Sequence, residues 1–169
     1  MTTDWKQLAR LLGSLRDDGS ESGGESLSRQ AFEEILGDEW IKNTVEHIID
    51  FKPGRELAMN CLCYLRSAKA ANYAYHIYQT YSGERADQAV WLIKHLANPI
   101  SLDWVENFLK DKNVIHWGLG VLDQLLWTEQ IPYDDRAKSL LELADKNSNG
   151  QLRRQIDFIK QYIEDRTSR

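Results

Sequence analysis

A chain of 169 residues with 42% hydrophobic and 28% charged residues can bury a core of ordinary domain size and is too apolar for a disordered polymer. Its net charge of -5 argues against a nucleic-acid binder, which shows a basic face. No apolar run approaches the roughly 20 residues of a membrane helix, and Met1-Thr2-Thr3-Asp4 lacks the basic-then-apolar start of a signal peptide, so the expected location is cytoplasmic.

Taken in order, Trp5, Leu8, Leu11, Leu12 and Leu15 recur at helical spacing, with Asp4 and Gln7 as a capping box. Asp17 to Gly24 is a polar, glycine-rich connection. Ser28 reads as the cap of a short helix stapled by Leu27 and Phe32 and closed by Gly37. Residues 1–37 are therefore expected to be an N-terminal helical cap, and 38–169 a repeat array within one domain. In the array, Asp38 opens a helix bearing Ile41, Val45, Ile48 and Ile49, and Pro53-Gly54 turns into a partner running from Arg55 to Ser67. The second pair is Ala68 to Tyr81 and Glu84 to Ala97. Its first helix carries Ala70, Ala71 and Ala74 for close approach, with Tyr73, Tyr75, Tyr78 and Tyr81 as packing area. Pro99 stops that pair, and Ser101 is the expected cap of the helix with Leu102, Val105, Phe108 and Leu109. Asp111-Lys112-Asn113 turns into Val114 to Trp127. The last pair starts at Pro132, turns over Lys146 to Gly150 and carries Leu152, Ile156, Ile159 and Ile163 in its second helix. No segment alternates with the two-residue period of a strand.

Four segments share one template: Ala58 to Leu65, Ala89 to Leu96, Gly118 to Leu125 and, more loosely, Gln155 to Tyr162. A small residue comes first, apolar residues second, fourth and fifth, and Leu eighth, which makes one broad apolar face per helix. Starts 31, 29 and 37 residues apart imply stacked helical pairs. The helix ending in Phe108-Leu109-Lys110, the turn Asp111-Lys112-Asn113 and the small-to-Leu helix Gly118 to Leu125 resemble a HEAT repeat. The likeness extends over roughly Asp38 to Glu164, departing at Gln155 and Tyr162. It implies an all-α, HEAT-like α-solenoid of about four helical pairs. It also implies a protein-binding scaffold; small bacterial members include toxin-neutralising immunity proteins, bilin lyase subunits and alkyl-purine DNA glycosylases.

The chemistry-bearing residues give little support to catalysis. His47, His76, His95 and His116 lack the spacing to Glu that marks a zinc-peptidase helix, and Cys61 and Cys63 point about 160° apart around one helix, so neither a metal nor a disulfide is expected. No phosphate-cradling glycine loop is present, no cofactor is expected, and no residue is assigned a catalytic role. Trp91, Trp117 and Asp123 fit a glycosylase pocket, but the charge balance denies it a cationic groove. The template instead turns its third, sixth, seventh and tenth places away from the core, which makes Asn60, Tyr64, Trp91, His95, Asp123, Gln124 and Trp127 the expected partner-binding surface. Gly120, on that same side, leaves room either for a neighbouring tryptophan or for a partner. The acidic run between Asp17 and Glu39 is either a solvated face or a steering patch for a basic partner, with Asp17, Asp18, Glu21 and Glu25 as its steering residues. The expectation is a non-catalytic protein-binding module, monomeric or weakly oligomeric. Its most specific form is an immunity-type protein that neutralises a basic toxin domain. The alternative is a lyase-like or chaperone-like subunit handling a chromophore in an aromatic groove.

Overall fold

A computed structural model describes residues 25–148 and 150–167, and these are helical throughout apart from their turns. The helices are α1 (Glu25–Ile49), α2 (Arg55–Leu65), α3 (Ala68–Thr80), α4 (Glu84–Leu96), α5 (Leu102–Lys110), α6 (Ile115–Trp127), α7 (Asp135–Asn147) and α8 (Gly150–Thr167). No strand occurs among the described residues. The expected first helix, the glycine-rich connection and the steering residues Asp17, Asp18 and Glu21 lie outside them, as does the side chain of Glu25.

Consecutive helices pair as α1–α2, α3–α4, α5–α6 and α7–α8. Each odd helix also packs on the next odd one, α3 on α5 through the rings of Tyr75, Tyr78, Trp104 and Phe108, and each even helix on the next even one, which makes two rows. This order is consistent with a helical-repeat solenoid. One continuous core fills the space between the rows, with Ile48, Leu62, Ile77, Leu92, Leu96, Phe108, Leu119, Leu122 and Leu125 among its fully buried side chains.

The local causes are mostly those legible in the chain. Gly37 leaves helical geometry at φ 78° and ψ 160°, so α1 kinks there, but the helix begins at Glu25 and Ser28 lies inside it rather than capping it. Ser67 belongs to the next helix, where its hydroxyl accepts from the Ala70 amide at 2.9 Å. The cap expected of Ser101 falls to Asn98, whose Oδ1 accepts from the Ile100 amide at 3.0 Å and starts a 3-10 turn over Pro99–Ser101. The Ser101 hydroxyl is buried with no hydrogen-bond partner among the described residues. Helix α7 starts three residues after Pro132, where Asp134 accepts from the Ala137 amide at 3.0 Å.

The backbone repeats a further device. Arg66, Ala97 and Glu129 follow α2, α4 and α6, and all three take the left-handed conformation without being glycine, at φ 46°, 48° and 55°. At Arg66 and Glu129 the left-handed residue donates three residues back, to the carbonyls of Cys63 and Leu126, and its successor donates five back, to those of Leu62 and Leu125. That is the Schellman closure, which satisfies carbonyls a helix end leaves orphaned.

The two glycines of α6 have different reasons. A Cβ on Gly118 would stand 2.6 Å from the Phe108 Cβ and 3.1 Å from its carbonyl carbon, so glycine lets α6 approach the α5 backbone. Gly120, which the template turns outward, is buried: the aliphatic stem of Lys94 crosses it, with Cδ 3.1 Å from where a Cβ would be. The room it leaves is filled by a lysine of the preceding inner helix. Gly118→Ala should therefore cost about 1–3 kcal/mol, because backbone must move. Gly120→Ala should cost far less, since a flexible stem can shift and Ala regains up to about 1 kcal/mol of helix propensity. Urea unfolding of both variants measures the difference, and equal losses would contradict it.

Candidate functional site

The even helices form the row on which the expected binding residues fall. Across it, side chains tie each unit to the next at sequence separations from 30 to 39. Arg55 donates to Gln88 Oε1 at 3.1 Å, and the Cys63 thiol donates to the His95 carbonyl at 3.2 Å. Asn98 Nδ2 donates to the Arg66 carbonyl at 2.6 Å. The Trp117 indole donates to Asp87 Oδ1 at 2.9 Å. Tyr162 donates to Asp123 Oδ1 at 3.1 Å, and Gln155 Nε2 reaches Asp123 Oδ2 at 3.4 Å.

The expected residues fall into three groups, one on each of α2, α4 and α6. Trp91 and His95, one turn apart on α4, meet with ring centres 4.6 Å apart in the middle of the row; both are half-buried, and Trp91 leans on the core. Asp123, Gln124 and Trp127 share the C-terminal half of α6, where Trp127 is 52% exposed. Asn60 and Tyr64 are exposed on α2, with Tyr64 at 74%. No ring contact ties Trp91 to Trp127 among the described residues, so they stand as separate aromatic positions on one row.

Sequence reasoning missed what surrounds them. A cation of this chain lies over each aromatic face: Arg55 over Trp91 at 4.7 Å, Lys94 over Trp117 at 5.6 Å, Arg166 over Trp127 at 5.3 Å and Arg29 over Tyr64 at 5.8 Å. It also missed Phe158 and Tyr162. Tyr162 is buried and meets Trp127 edge-on, ring centres 5.2 Å apart, and Phe158 meets Tyr162 at 5.7 Å. The template assigns Phe158 to the core face, yet it is 54% exposed, because no further helix follows α8 among the described residues. Leu65, in the same template place, is half-buried while Leu96 and Leu125 are fully buried. The departures from the repeat at Gln155 and Tyr162 were the available signal: both of these residues hold Asp123.

Burial sets the protonation of the row. It pushes the Tyr162 hydroxyl far above its ordinary range, helped by the Asp123 charge, so it remains a donor to that carboxylate. Burial, and secondarily Lys94, holds His95 below the usual imidazole value and favours the neutral ring. Desolvation pushes the Cys63 thiol up to about 11, whereas Cys61 is exposed; both are free. No group of three or more metal-binding side chains occurs among the described residues. No family model matches the chain, and neither a curated protein nor a solved structure matches it.

Two measurements follow from these environments. Since the thiolate is the reactive form, near pH 8 a disulfide reagent should titrate about one thiol per native chain and both after unfolding; two fast thiols in the native chain would place Cys63 wrongly. For His95 the folded pKa lies below the unfolded value near 6.5, so the unfolded chain binds the extra proton first. Stability should therefore fall as pH drops from about 7 towards 5.5, and His95→Gln should flatten that slope in urea unfolding.

Proposed function

We propose that this chain is a HEAT-like α-solenoid acting as a non-catalytic protein-binding module, with its even helices as the binding surface. The carrying observation is the pairing of Trp127, 52% exposed despite its contact with Tyr162, with the Asp123 carboxylate on the same half-helix. An exposed indole held on a rigid helix costs little entropy to bury, and aromatic anchors of this kind dominate binding energy. A carboxylate beside it suits a basic or amphipathic anchor of another protein. The net charge of -5 favours the same sign of partner by long-range steering. The most specific form of this reading is an immunity-type protein holding a basic toxin domain. It draws on the repeat resemblance and this charge, and calls for no catalysis.

A photo-crosslinking residue in place of Trp127 or Tyr64, in the native host, should capture the same protein, while one in place of exposed Glu142 on α7 should not. Equal capture at all three positions, or none, would overturn the reading. With the captured protein purified, Trp127→Ala should weaken binding by about 2 kcal/mol or more, roughly thirtyfold, with the melting temperature nearly unchanged. A large loss of stability would instead make Trp127 a core residue.

A further inference from the structure

The groove over Gly120 has a different chemistry from the aromatic positions. It has a volume of about 430 Å³ and is lined by Lys94 of α4, Lys112 of the α5–α6 turn, His116, Trp117 and Gly120 of α6, and Gln155 of α8. A second cleft of about 480 Å³ adjoins it through Lys112, Ile115 and Leu152, and adds Lys110 and Lys146. In a chain with more acid than base, these lysines cluster where neither lining contains a carboxylate. Lys110 is paired with Glu106 at 2.5 Å, but Lys94, Lys112 and Lys146 have no carboxylate partner among the described residues.

The nearby acids stand outside both linings and accept from neutral donors. Asp87 accepts from the Trp117 indole at 2.9 Å and faces His116 at 3.7 Å, and Asp123 is held by Tyr162 and Gln155. Glycine at 120 is what lets the Lys94 stem lie flat across α6, which carries its ammonium over the Trp117 ring and into the groove. The site thus offers two separate ammonium groups and an imidazole from two helices and a turn. Point-charge donors arriving from several directions match the three oxygens and double charge of a phosphate group better than the flat, two-oxygen edge of a carboxylate, which favours an arginine fork.

We infer that the groove over Gly120, between Lys94, Lys112, His116 and Gln155, is a binding site for a small phosphate-bearing anion. It is a separate site from the Trp127 surface and does not depend on it.

The test uses the full chain, with pyrophosphate as the probe and citrate as an anion of comparable charge. The Trp117 indole and His116 ring resonances report on the groove. Pyrophosphate should shift both saturably and citrate should not. Lys94→Gln and Lys112→Gln should each weaken pyrophosphate binding about tenfold, while exposed Lys52→Gln leaves it unchanged. Because Lys112 is an exposed turn residue, its variant keeps the fold even if loss of Lys94 loosens the Trp117 contact. Absence of a saturable shift, an equal response to citrate, or equal affinities for the Lys112→Gln and Lys52→Gln variants would overturn the assignment.

Discussion

None of these helices can bury its apolar face alone, and that constraint shapes everything else in the molecule. Helices α2 to α7, of 9 to 13 residues, are too short to be more than marginal in isolation. Each becomes stable by covering its hairpin partner and the corresponding helix of the next unit. The side-chain ties between units follow from this: Arg55 to Gln88, Asn98 to the Arg66 carbonyl, Trp117 to Asp87 and Asn147 Nδ2 to the Leu109 carbonyl all reach about one unit along the chain. They fix the register in which the apolar faces meet. On the other row Tyr73 does the same by donating to Glu46 at 2.7 Å, and Arg85 of α4 crosses between the rows to pair with Glu46 and Asp50.

What could be read from the sequence was what depends on near neighbours. Apolar spacing located the helices from Arg55 to Thr167 to within a few residues, and Gly37, Pro53-Gly54 and Pro99 marked their breaks. Small residues at 70, 71, 74, 89 and 118 proved to be points of close packing, fully buried in each case. Three things escaped. Caps were misassigned at Ser28 and Ser101 because several polar residues compete at each helix start, and tertiary packing decides among them. The outward face of Gly120 was misread because its cover, Lys94, comes from a helix one unit earlier. Phe158 departed from the template because a repeat rule assumes neighbours on both sides, and no helix follows α8 among the described residues.

The candidate surface was legible as a set of residue types but not as an arrangement. Periodicity placed Tyr64, Trp91 and Trp127 on one row, and nothing local could show that Arg29, Arg55 and Arg166 would lie over them. These cations change the character of the surface. An indole under a guanidinium keeps its area and loses part of its free face, so an incoming group must either displace the arginine or bind beside it. Each displacement forfeits an interaction worth on the order of 0.5–2 kcal/mol. An anchor that binds beside the arginine would therefore be favoured over one that displaces it.

The left-handed residues after α2, α4 and α6 bear on how the protein could be altered. Arg, Ala and Glu occupy a conformation that costs an L-residue about 1–2 kcal/mol, and the three side chains have nothing in common. The geometry at these corners is thus imposed by the backbone closure and is indifferent to which side chain stands there. Arg66 and Ala97 are the least encumbered of the three, since Glu129 also pairs with Arg166 at 3.6 Å. At Arg66 and Ala97, which follow helices other than the one bearing Trp127, the chain carries unspent thermodynamic headroom, and tolerance to further mutation could be raised there without trading away recognition.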